Sequence, residues 1–333
     1  MSDQSSRRTV LMLAGLFAAA AVLEGVMPAI AFAQGVSADA ADEQNRDAIA
    51  HSSNFKAIYQ DAELKAAFFL FMKNVYHLYP EDRFHKLLEE IAQAGQSDRE
   101  IYRLAQSRIG SIKPFLSEAR YALPALVKQK KEMARQTLDL LKVSRRIDGY
   151  MEVGTVGRYI SKLRSSIRLS GDIVLLNVDA PTYSPSDIAE RGQVSKLGRF
   201  VSLKDYSPVA TADVADRSLD LVTNFIGFHH SPPEKRDAFV RSLHRALRPG
   251  GRLIVRDHDV DSDRMNRMVA LAHDVFNMGL GIDWTVNQQE IRNFTSSAQL
   301  TAYLEAQGFK SNGRALLQPG DPTHNALMEF VRV

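Results

Sequence analysis

The side chains best suited to chemistry stand where apolar runs of the sequence end. Glu152-Val153-Gly154-Thr155-Val156-Gly157 puts a carboxylate at the end of one such run, with glycines directly behind it. Glycines let a backbone approach a ligand closely, and a helix starting there offers N–H groups to a carboxylate. Asp179 follows the next apolar run, Asp172–Val178, 25 residues beyond Gly154. An acid in that place can accept two hydrogen bonds from a vicinal diol, as in a ribose. His229 and His230 follow a third run, and imidazoles titrate near neutrality. They could take a proton from a second molecule. Arg256-Asp257-His258-Asp259 follows a fourth run. With His229 and His230 it collects nitrogen and oxygen donors, but without a recognisable ligand spacing, so no metal is assigned. Asp257, His258 and Asp259 are expected instead to line a pocket or to bond to one another.

Elements that would position these groups follow from the texture of the chain. From residue 146 onward, apolar runs alternate with amphipathic stretches. Strands are expected at Tyr150–Val153, Asp172–Val178, Arg199–Leu203, Leu219–Asn224 and Arg252–Asp257. Helices are expected at Ile160–Leu169, Ser186–Arg191, Glu234–Leu247 and Ser297–Gln307. Two last strands, Phe309–Leu317 and Asn325–Val333, are separated by a short loop and read as a hairpin. Alternation of this kind implies an α/β fold, a mostly parallel sheet with right-handed crossovers and one antiparallel strand. Before it, residues 51–145 read as a helical region. Phe68, Phe69, Phe71, Met72, Val75, Tyr76 and Tyr79 form an apolar face ended by Pro80, Ser97 to Glu100 has the spacing of a helix start, and Gly110 is a plausible stop. That region packs on the main domain or serves as part of a lid. Residues 264–297 form an insertion with an apolar face running from Met265 to Met278, followed by the only tryptophan, Trp284.

From residue 146 to 333 the chain resembles the class I S-adenosylmethionine (SAM)-dependent methyltransferases, a Rossmann-like family. The resemblance is carried most specifically by Asp216-Arg217-Ser218-Leu219-Asp220-Leu221-Val222-Thr223-Asn224-Phe225, then His229-His230, then Leu247-Arg248-Pro249-Gly250-Gly251-Arg252-Leu253-Ile254-Val255. It implies SAM as cofactor. Gly154 and Gly157 would hold its methionine part and Glu152 its ammonium group. Asp179 would take the ribose, Asp205 the adenine amino group, and Asn224 would stand at the cofactor edge. Val156 departs from the family pattern, since a glycine is usual there. His229 and His230 are the candidate catalytic pair. The insertion 264–297 would cap a small-molecule acceptor, and methyl transfer to that acceptor is the implied activity. Two rivals are a SAM-fold module without catalysis and a nicotinamide-dependent oxidoreductase. Against the second stands the missing Gly-x-Gly-x-x-Gly.

Composition bounds the rest. With 45% hydrophobic and 24% charged residues the chain is an ordinary globular one. A net charge of +3, evenly spread, gives no reason to expect nucleic acid as a partner. Absence of cysteine excludes disulfides, thiolate catalysis and cysteine-ligated metal. Residues 1–33 read as a Tat-type signal: Arg7-Arg8, an apolar stretch, then Ala31-Phe32-Ala33 as a cleavage site, with 34–50 as a linker. Export to the periplasm is therefore expected, with no membrane span after cleavage; retention as an inner-membrane anchor, or a cytoplasmic protein, are the alternatives. An exported enzyme would need a cytoplasmic cofactor on the far side of the membrane. The acceptor atom and oligomeric state are not written in the sequence.

Overall fold

The computed structural model describes residues 53–333, apart from 96 and 143–145. The expected signal 1–33 and linker 34–50 lie outside the described residues. Among the described residues no helix is long and apolar enough to cross a membrane.

Among the described residues seven strands form one sheet in the order β3-β2-β1-β4-β5-β7-β6. They are β1 (Arg146–Val153), β2 (Arg168–Asn177), β3 (Arg199–Ser202), β4 (Leu219–Asn224), β5 (Leu247–His258), β6 (Phe309–Leu317) and β7 (Asn325–Arg332). The first five pair in parallel, and β7 runs antiparallel to both β5 and β6. This is the mostly parallel α/β sheet with an antiparallel strand that the alternation of runs predicts, and its Rossmann-like order is the one the resemblance implies. Its order reverses between β1 and β4, and ligands of open α/β sheets sit beyond the strand ends at such a switch.

Alternate residues of each strand serve opposite faces. Met151, Val153, Val174, Leu176, Val222, Leu253 and Val255 share one core with Phe239, Val240 and Leu243 of a helix at Pro233–Ala246 and Leu300 and Leu304 of another at Ser297–Ala306. Tyr150, Leu175, Leu221, Ile254 and Leu327 share the other with Met133, Leu140 and Leu141 of a long helix, Leu123–Leu141. A third core has no strand in it. It joins Asn54–Gln60, Ala62–Phe71, Glu81–Ala94 and Asp98–Ile112 to the helix Asp263–Gly279 and Trp284 of the insertion. The apolar face of that insertion helix is thus buried against the N-terminal helices.

Three boundaries differ from the sequence expectation. The helix expected at Ile160–Leu169 is one turn, Ile160–Leu163, because β2 already begins at Arg168 to pair with Arg146. Gly110 does not stop its helix, which runs to Ile112; the capping box of Ser97 and Glu100 at its start is present. The strand expected from Arg252 begins at Leu247, with a register shift that lets Arg248-Pro249-Gly250-Gly251 loop out between Leu219 and Leu221 of its neighbour.

Candidate functional site

Parallel pairing brings the strand ends together: Val153 lies beside Leu176 on one side and Asn224 on the other, and Asn224 lies beside Val255. The groups nominated from sequence therefore gather along one edge, but in different states.

The glycine loop is closed by its own chain. Gly154 and Gly157 have φ of +79° and +92°, a left-handed backbone that side chains disfavour. A Cβ on Gly154 would fall 2.1 Å from Cδ1 of Ile226, so the segment after β4 lies directly on the loop. Glu152 is fully buried. Its carboxylate accepts hydrogen bonds from the Tyr150 hydroxyl at 2.9 Å, the Tyr159 N–H at 3.3 Å and the Thr155 hydroxyl. Burial pushes this carboxyl above its ordinary pKa, against those bonds. Thr155 Oγ1 in turn accepts from the N–H groups of Gly157 and Arg158, each at 3.2 Å. Behind the loop, Arg158 donates to Glu190 at 3.0 and 3.1 Å, and both are buried. The residues present thus do not fit the methionine end of SAM in this arrangement. Ile226 lies on the loop, and the Glu152 carboxylate already takes three hydrogen bonds from its own chain.

The two acids expected at the ribose and the adenine are exposed. Asp179 is exposed just past β2, where Asn177 Nδ2 donates to its backbone carbonyl at 3.1 Å. Asp205 is exposed in a left-handed turn (φ +52°) and is paired with Lys235. Asn224 is fully buried; its Nδ2 reaches the Gly227 carbonyl at 3.4 Å, while its Oδ1 has no hydrogen-bond partner.

Four histidines meet under the insertion. His229 and His230 follow β4, His258 ends β5, and His273 comes from the insertion helix. Ring centroids of His229 stand 4.0 Å from His230, 5.3 Å from His273 and 5.6 Å from His258. Phe294 packs at 5.1 Å on both His229 and His273. Asp257 orders the cluster from below. Its carboxylate meets His229 Nδ1 at 2.5 Å and accepts the N–H groups of Phe228 and His258, each at 2.9 Å. Burial acts to raise the Asp257 carboxyl, yet His229 beside it holds it down to about 2. Burial lowers His229 and, more strongly, His230, so both rings are neutral in this pocket near pH 7. His258 Nδ1 lies 3.0 Å from the Thr323 carbonyl.

A second layer belongs to the insertion. Glu290 lies 3.7 Å from His230 Nδ1 and 3.5 Å from His273 Nδ1. Arg292 pairs with Glu290 at 2.8 Å and with Asp274 at 2.7 Å. Burial would raise Glu290, but His273 and Arg292 hold it well below the carboxylate range. The insertion is tied to the histidine loop where the Asn293 N–H meets the His229 carbonyl at 2.9 Å. His273, Glu290 and Arg292 are absent from the candidates read off the sequence. The one local signal was a histidine on the buried face of an otherwise apolar helix.

A methyltransferase-domain family model matches residues 129–311. Among solved structures, an S-adenosylmethionine-dependent methyltransferase, SibL, in its apo form is 18% identical, with 82% of this chain and 78% of that chain covered and a TM-score of 0.47. The 1,6-didemethyltoxoflavin-N1-methyltransferase of Burkholderia thailandensis, solved with 1,6-didemethyltoxoflavin and S-adenosylhomocysteine, is 15% identical over 72% of this chain and 92% of that one, at a TM-score of 0.41. A possible exported protein from Bordetella parapertussis is 14% identical over 89% and 99%, at 0.42. A search of curated proteins finds no match.

Proposed function

The chain belongs to the methyltransferase-domain family, and from that premise we propose that it transfers a methyl group from SAM to a small-molecule acceptor, leaving S-adenosylhomocysteine. The observation that supports this reading best is the convergence of Asp179, Asn224 and the two positive-φ glycines on the switch-point edge of the sheet. SAM brings an already activated methyl group, so the protein's part is alignment and exclusion of water. In this reading Asp179 takes the ribose and Asp205 faces the adenine. Gly154, Gly157, Glu152 and Asn224 border the methionine end after Ile226 has moved off Gly154. His229 and His230 stand on the acceptor side. Export through a Tat-type signal remains part of the proposal.

A second reading is favoured by one observation: Ile226 on Gly154, with Glu152 bonded inward. A methyltransferase fold sealed in that way would serve as a binding or scaffold module without turnover.

Isothermal titration with SAM and S-adenosylhomocysteine separates the two. The first reading expects binding by the wild type, weakened at least about tenfold in Asp179→Ala, since hydrogen bonds to a charged group contribute roughly 1.5–3 kcal/mol. It expects tighter binding in Ile226→Ala. No heat from either wild type or Ile226→Ala, with both folded by circular dichroism, would sink SAM binding. Binding without turnover across a broad acceptor panel would establish the second reading.

A further inference from the structure

Three imidazoles beneath the insertion stand close enough to share one ligand. His229, His230 and His273 each bring one ring nitrogen to within 4.8 Å of the others. His229 is 3% exposed, His273 0% and the His230 side chain 8%. The Nε2 atoms of His229 and His230 have no hydrogen-bond partner. A buried polar atom left unpaired costs free energy, and here two such atoms belong to one cluster. We infer that His229, His230 and His273 bind a divalent transition-metal ion of the zinc class.

Three features of the pocket agree with that assignment. Neutral imidazole is the donor such ions take, and a set of three histidines with an open fourth position is a recurring zinc arrangement. In a tetrahedral site with bonds of 2.0–2.1 Å the donors sit roughly 3.4 Å apart, so closure from the present spacing needs only small side-chain movements. The second feature is orientation. Asp257 holds Nδ1 of His229 at 2.5 Å, which leaves Nε2 as the nitrogen to ligate, the carboxylate–histidine pairing usual behind metal ligands. Glu290 stands farther off, 3.7 and 3.5 Å from Nδ1 of His230 and His273. The third is charge. Asp257, Glu290 and Asp274 bring three carboxylates to this network and Arg292 one guanidinium, leaving a net charge of −2 for a dication to neutralise.

The ligands come from separate places: two from the loop after β4 and one from the insertion helix. A bound ion would fasten the insertion to the sheet edge. The site stands on its own geometry and does not depend on SAM binding.

The test uses the full chain, tag-free, with metal content measured after dialysis and Co²⁺ titrated into chelator-treated protein. The expected result is about one equivalent of metal, or Co²⁺ d–d absorption of a low-symmetry four- or five-coordinate site, with a rise in Tm on Zn²⁺ addition. Asp257→Asn should weaken Co²⁺ affinity roughly 10–100-fold, and His273→Gln by more. His244→Ala, outside the cluster, should leave it unchanged. A folded wild type that carries no metal, gives no d–d bands and shows no Tm shift with Zn²⁺ or Co²⁺ overturns the proposal. So does undiminished Co²⁺ binding by a folded His273→Gln variant. Should that variant fail to fold, the wild-type measurements still decide.

Discussion

The glycine loop and the histidine pocket lie on one edge of one sheet, yet they treat their polar groups in opposite ways. In the loop, Glu152, Thr155 and the N–H groups of Gly157 and Arg158 satisfy one another, and Ile226 fills the remaining space. In the pocket, Asp257 and Glu290 are engaged, but ring nitrogens of His229 and His230 are left over. Buried polar groups cost free energy unless paired. A self-satisfied loop must therefore rearrange before it can receive a ligand, whereas the pocket gains by receiving one. Of the two, the pocket is the preorganised site.

Three perturbations would sharpen or break that contrast, taken from the largest effect to the smallest. Asp257→Ala attacks the ordered side of the pocket. It strips partners from His229 Nδ1 and from the buried N–H groups of Phe228 and His258. A loss of about 3–5 kcal/mol is expected by urea denaturation, as for breaking a buried charged network. A loss below about 1 kcal/mol would show that the pocket is not ordered by this carboxylate.

Lys130 probes the loop side. It is 2% exposed and donates to the Ala189 carbonyl at 3.3 Å. Burial, then the Arg158 charge, lowers its ammonium from 10.5 to about 8, with Glu190 and Glu152 opposing and Lys162 adding to the shift. Because the folded value lies below the unfolded one, the charged form is penalised in the fold. That penalty is complete below pH 8 and is released as pH rises from about 8 to 10.5. Lys130→Met should therefore be more stable than wild type at pH 7, by up to about 3 kcal/mol at 1.36 kcal/mol per pKa unit. The two stabilities should converge by pH 10.5, and parallel stability–pH curves would contradict this account.

Asp172→Asn is the small effect. Its partner Arg199 bonds it at 2.7 Å, but the side chains are 37% and 44% exposed. Such pairs contribute roughly 0–1 kcal/mol and are screened by salt. A thermal melt should move little, and neither SAM nor Co²⁺ binding should change. A large change in either would mean that the rim of β2 and β3 is coupled to both sites, breaking their independence.

Much of the architecture was legible in the amino-acid order because it rests on local periodicity. Leu219–Asn224 is a strand as read, and the hairpin of β6 and β7 delivers the antiparallel member of the sheet. Asp179, Asn224 and His229 could be placed at strand ends because a strand's end is visible where its apolar run stops. The limits of Ile160–Leu163 and β5 were not, since strand pairing with Arg146 and Leu219 sets them. What only the tertiary structure decided is which distant groups fill each site. Ile226 reaches Gly154 from the end of the neighbouring strand, and His273 and Glu290 reach His229 and His230 from an insertion whose pattern reads as apolar packing. The physical reason is range: burial patterning acts over a few residues and shapes single elements. Filling a pocket or leaving a nitrogen unpaired depends on contacts between elements that the chain keeps far apart until it folds.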